Sequence, residues 1–127
     1  MSKYVPIAHE YWDNTRLHFD KLIDCSGVLA VYFAALDGRG IELKFDSYLV
    51  YRKMDEGDAL LVISEMKSSG GTSKFLYRVD ESKFLEWFNA ERCGEVLGQP
   101  LTHYSMASVD DVIDVLTFNP PVIARVE

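Results

Sequence analysis

The chain is poor in most features that would reveal a chemistry. Two cysteines, Cys25 and Cys93, are too few for a disulfide framework in 127 residues. Both are expected to be reduced and mostly buried. No apolar run approaches the roughly 20 residues that cross a bilayer, and "MSKYVPIAHEY" lacks the uninterrupted apolar segment of a signal peptide. No membrane is therefore implied, and a cytoplasmic protein is expected. Positive charge is scarce as well: 13 Lys and Arg stand against 20 Asp and Glu, for a net charge of −7. Such a surface repels nucleic acid and anionic lipid at long range, which disfavours direct binding to DNA or RNA.

Ready-made catalytic motifs are also missing. There is no H-E-x-x-H and no paired C-x-x-C. His9, Glu10, His18 and Asp20 are the only early cluster of metal-ligand types, and an expected helix there points His18 and Asp20 to nearly opposite sides. Neither metal nor cofactor is expected. Cys93 falls at an expected helix C-terminus and Cys25 follows Asp24, and both settings disfavour a thiolate. The glycines of "SSGGTSK" lie between two expected strands, without the helix N-terminus that a phosphate cradle uses. No catalytic residue emerges, and the chain does not read as an enzyme.

What the chain does have is core material. Hydrophobic residues make up 48% and charged residues 26%, an ordinary globular balance for one domain. Trp12, Thr15, Phe19, Leu22 and Ile23 recur at helical spacing within "YWDNTRLHFDKLI", which predicts a helix. "VLAVYFAAL" then reads as a buried strand and "DGRG" as a hairpin turn. Alternation through "IELKFDSYLVYRK" predicts one long strand with Ile41, Leu43, Phe45, Leu49 and Tyr51 inward. "ALLVISEMK" and "KFLYRV" complete a four-strand antiparallel meander around the "SSGGTS" hairpin loop. Asp80 is placed to cap a helix with a stripe of Phe84, Leu85, Trp87 and Phe88, closed by Cys93-Gly94. "LTHYSMA" reads as a fifth strand and "SVDDVIDVLTF" as a last helix capped by Ser108. The tail "VIARVE" fits either an edge strand or packing on the sheet. The expected fold is a single α+β domain, an antiparallel sheet of about five strands with two to three helices, in the order αββββαβα. Trp12, Phe19, Phe45, Phe84, Trp87 and Phe88 are core by periodicity, and no basic groove accompanies them for base stacking.

Charge is unevenly spread. Residues 1–79 carry a net −1 and residues 80–127 a net −6. An acidic end of this kind accelerates encounter with a basic protein. On the last expected helix Asp110 and Asp111 lie in the first turn, where the dipole favours them. Asp114 stands four residues from Asp110, a repulsion that a basic partner would relieve. Asp110, Asp111, Asp114, Glu91 and Glu95 are the expected acidic contacts, and Tyr48, outward on its strand, is a candidate anchor.

The order of these segments carries a resemblance. "EYWDNTRLHFDKLI", "GVLAVYFAAL", the long aromatic strand "FDSYLVYRKMDEGDALLVISEM", the helix "ESKFLEWF" and the acidic "SVDDVIDVL" together resemble the immunity proteins of bacterial contact-dependent growth inhibition systems. Within that family they are similar to the Enterobacter type, whose toxin cuts ribosomal RNA. The resemblance implies a small, acidic, non-catalytic protein that binds the C-terminal domain of a cognate toxin, a basic nuclease. It further implies stoichiometric inhibition that protects the producing cell and its siblings.

Two other readings stay open. A small ligand-binding or enzymatic α+β domain would show a buried polar cluster around His103 or His18 beside a concave cavity. A homo-oligomeric module would use the meander edge and show a concentration-dependent mass, whereas a monomer is favoured otherwise.

Overall fold

The computed structural model describes residues 2–69, 74–95 and 97–126. Among these residues the chain is a mixed α and β fold, more sheet-rich than expected: nine strands in two antiparallel sheets, and two helices. The strands are β1 (Lys3–Ile7), β2 (Leu17–Cys25), β3 (Val28–Ala35), β4 (Gly40–Phe45), β5 (Tyr48–Asp55), β6 (Leu76–Asp80), β7 (Thr102–Ala107), β8 (Asp111–Thr117) and β9 (Val122–Val126). The helices are α1 (Leu60–Ser68) and α2 (Lys83–Glu91), with a single 3-10 turn over Glu56–Asp58 before α1. One sheet runs β2-β3-β4-β9 and the other β1-β6-β7-β8-β5.

Three layers result. Leu29, Val31, Phe33, Leu43 and Phe45 of the four-stranded sheet meet Leu76, Tyr104, Met106, Ile113 and Val115 of the five-stranded sheet in the main core. On its other face the five-stranded sheet carries Tyr4, Tyr77, Val79 and Val112, covered by Ala59 and Met66 beside and on α1. The middle sheet is thus buried on both faces, and β8 is buried at every position from Val112 to Thr117.

That double burial explains the first misreading. "SVDDVIDVLTF" is expected as a helix but is strand β8, entered by a tight turn in which Ser108 N–H donates to the Asp111 carbonyl at 2.9 Å. A strand covered on both faces loses the period of two and resembles a helix stripe. Residues 11–23 are misread for a related reason. They form a turn and then β2, not a helix. A β-bulge between Phe19 and Lys21 inserts one residue, so the inward side chains step from Leu17 and Phe19 to Leu22. One extra residue converts a spacing of two into a spacing of three.

Other expectations are corrected by connectivity. The long strand over residues 41–53 breaks at Asp46-Ser47, and β5 crosses into the other sheet to pair with β8. Leu49 is consequently exposed. "ALLVISEMK" is α1 rather than a strand, so no four-strand meander exists. The expected hairpin loop over "SSGGTS" lies largely outside the described residues. The helix near residue 84 is present, but Ser82, not Asp80, caps it, its hydroxyl oxygen accepting from Leu85 N–H at 3.0 Å. Strand β1 has no counterpart among the expected elements. The tail is edge strand β9 on β4. Cys25 and Cys93 are both free and exposed rather than buried. No described helix is long and apolar enough to cross a membrane.

Candidate functional site

The six expected contact residues do not form one patch. Asp110 is exposed at the β7–β8 turn, while Asp111 is half-buried and paired with Lys53 at 2.9 Å. Tyr48 pairs in register with Thr117, at the far end of β8 from Asp111, which at strand rise is about 20 Å away. Its hydroxyl donates to Asp24, and that bond, with some burial and the Asp24 charge, pushes the phenol up to about 12. Glu91 and Glu95 are exposed at the end of α2 and just beyond it. Asp114 has no exposed surface at all, so it cannot belong to a docking face in this fold.

Asp114 is instead the centre of a buried polar network on the helix side of the middle sheet. Arg52, its direct cross-strand partner on β5, donates from Nε to Oδ2 at 3.0 Å. His103 on β7 meets Oδ1 through Nε2 at 2.7 Å, and its Nδ1 lies 2.6 Å from Ser82 Oγ. Burial alone would raise the Asp114 carboxyl, yet the hydrogen bond and charge of His103, with the charge and hydrogen bond of Arg52, outweigh it. The carboxyl is held below the usual carboxylate range. Both ring nitrogens of His103 thus have a polar partner, Asp114 at Nε2 and Ser82 at Nδ1.

Ser82, His103 and Asp114 are the residue types of an acyl-transfer triad. A buried polar cluster around His103 beside a cavity that His103 itself lines is the arrangement the ligand-binding or enzymatic reading calls for. Ser82 Oγ is already the acceptor that caps α2, and Ser82, His103 and Asp114 are all buried, so the hydroxyl is not presented to a substrate. The network ties α2, β5, β7 and β8 together. Alongside it, buried Glu65 of α1 accepts from the Ser2 backbone N–H at 2.7 Å and faces Lys83 Nζ at 3.4 Å. Desolvation first, then the charges of Asp114 and Glu65, raise the Tyr4 phenol well above its ordinary range.

Above this network lies a cavity of about 240 Å³ between the helices. Leu61, Val62 and Glu65 of α1 wall one side, Lys83, Phe84 and Trp87 of α2 the other, and Arg52 reaches in over the Phe84 ring at 4.2 Å. The rim is unusually apolar for a surface: Leu61 and Trp87, both in the lining, are 62% and 50% exposed. Periodicity places Trp87 in the core, but it is half exposed, stacked on Phe84 at 5.7 Å and tilted against Phe88 at 6.5 Å.

Next to that rim, at the β5 end that Asp110 adjoins, sequence reasoning overlooked three carboxylates. Asp55, Glu56 and Asp58 are all exposed, Asp58 lines the cavity, and Glu56 N–H donates to the Asp110 carbonyl at 2.8 Å. None of Asp55, Glu56, Asp58 or Asp110 has an ion-pair partner among the described residues. The signal is in "MDEGDALL", three acids in four residues followed by an apolar step.

His9 and His18 do not converge on a ligand: His9 stacks on Trp12 at 4.7 Å, and its Nδ1 accepts from Tyr11 N–H at 3.1 Å. No family model, no curated protein and no solved structure matches the chain.

Proposed function

We propose that this chain is a toxin-neutralising immunity protein that binds a cognate basic nuclease domain one to one and blocks it, protecting the producing cell in the cytoplasm. The observation that carries the reading is the group of exposed carboxylates without an ion pair among the described residues, Asp55, Glu56, Asp58 and Asp110, of which Asp58 lines the same cavity as exposed Leu61 and Trp87. Stable monomers rarely leave such an apolar rim in water, and an adjacent cluster of one charge gives it direction. The carboxylates would stand in for phosphates held by the nuclease's Lys and Arg and speed encounter. The apolar rim would set the lifetime of the complex, with Trp87 as the anchor. Glu91 and Glu95 remain candidate peripheral contacts.

The test is binding to the toxin domain encoded immediately upstream, followed by surface plasmon resonance over a salt series. The combined Glu56→Gln, Asp58→Asn and Asp110→Asn variant is expected to slow association about tenfold or more at low salt, with little change at high salt. Trp87→Ala is expected to speed dissociation about 30-fold, the effect of a hot-spot aromatic. Absence of a one-to-one complex, or affinity indifferent to salt and to both variants, would overturn the reading.

A further inference from the structure

A second cavity, of about 520 Å³, lies on the opposite flank of α1 from the apolar rim. Ile63, Met66 and Lys67 face it, where Leu61, Val62 and Glu65 face the other. Its location matters because of how cations are used in this acidic chain. Lys3, Arg39, Lys44, Arg52, Lys53, Arg78 and Lys83 each sit within ion-pair distance of a carboxylate. Lys21, Arg92 and Arg125 lie over the rings of Tyr32, Phe88 and Tyr11. Three remain: Arg16, Lys67 and Lys74, which have neither carboxylate nor ring among the described residues. All three line this one cavity.

The rest of the lining is apolar at the floor and lightly polar at the edge. Leu17, Met66, Phe75 and Val112 lie beneath, Thr15 and Ser108 carry hydroxyls, and Glu56 is the only carboxylate among the described residues of the lining. Three cations around an apolar floor call for a ligand with a negative head and a hydrocarbon body. Opposite charge draws the head, and burying methylenes holds the tail.

We propose that this cavity binds an amphipathic carboxylate of medium chain length, the head held by Arg16, Lys67 and Lys74 and the chain laid on Leu17, Met66 and Phe75. The site adjoins the proposed toxin-binding face, sharing Glu56 with it, but its occupancy does not depend on that reading. The volume is within the range of small-molecule sites.

Titration of the whole protein with decanoate below its micellar concentration, by calorimetry and by NMR of the methionine methyls, tests this. Saturable one-to-one binding is expected, with a shift at the Met66 methyl. Octanoate should bind about tenfold more weakly for two methylenes withdrawn from the floor, and decanol should bind more weakly than decanoate. Arg16→Gln, Lys67→Gln and Lys74→Gln, each at an exposed position, should each loosen decanoate about two- to fivefold. No saturable binding, decanol bound as tightly as decanoate, shifts confined to the other methionines, or a triple variant that binds as tightly as the parent would each overturn the proposal.

Discussion

Replacing Asp114 by Asn removes one charge from the buried network and leaves its volume. The amide oxygen can still accept from His103 Nε2, so the perturbation falls chiefly on Arg52, which loses its carboxylate. Breaking a buried ion pair from one side costs about 3–5 kcal/mol. Here the Arg52 side chain is 38% exposed, and water can solvate part of the abandoned guanidinium, so the lower end, about 3 kcal/mol, applies. For a chain of this size that is roughly 10–15 °C in melting temperature. The pH dependence has a definite sign. The Asp114 carboxyl is depressed in the folded state, so its contribution is complete above the unfolded value of about 3.9 and is lost as pH falls through the lower folded value. The gap between parent and Asp114→Asn should therefore be widest near pH 7 and close in acid. Urea unfolding followed by tryptophan fluorescence at pH 7 and at pH 3 measures both. A variant within about 1 kcal/mol of the parent at pH 7, or a gap that stays constant into acid, would refute the reasoning, since a pair that matters must cost more than a typical surface substitution.

The unpaired hydroxyl beside this network makes the opposite case. Ser105 Oγ is buried without a hydrogen-bond partner among the described residues, so Ser105→Ala should be neutral or stabilising by up to about 1 kcal/mol, read as an unchanged or higher melting temperature. Phe33 packs edge-on against Phe75 at 4.7 Å and Phe19 at 5.9 Å between the sheets, and Phe33→Ala should cost about 3–5 kcal/mol in the same urea assay. Because Cys25 and Cys93 are both exposed, a thiol reagent should titrate two equivalents in the native protein, at the same end point as in denaturant; a second thiol released only on unfolding would contradict the placement.

Some of this was legible in the residues. β3, β7 and α2 were anticipated close to where they lie, because a continuous apolar run, a short run bounded by Gly-Gln-Pro and an amphipathic stripe each obey a local rule. The failures share a cause, which is that the inward face was not constant along the segment. In β2 a bulge changes it, at Asp46-Ser47 the chain changes sheets, and in β8 both faces are inward. α1 failed differently. Its Leu, Val and Ile suit a strand, and only packing of Met66 against Tyr77 and Val79, with Glu65 answered by Ser2 and Lys83, makes the helix the better solution.

The candidate site shows the same division. Asp110 is on the surface as expected, whereas Asp114, singled out because local structure does not explain it, is explained by His103 on the preceding strand and by Arg52 on a strand distant in sequence. No spacing rule reveals a cross-strand partner 62 residues away. Asp55, Glu56 and Asp58 lie in no pattern that marks them as a site, yet the fold sets them beside Asp110 and the exposed start of α1.

The most direct measurement of the central claim is an in vitro cleavage assay of the neighbouring toxin domain, titrated with this protein. Nuclease activity should fall linearly to zero at one equivalent, and Trp87→Ala should shift that end point to a gradual, weaker inhibition curve. Cleavage that continues unchanged in the presence of excess protein would contradict the account.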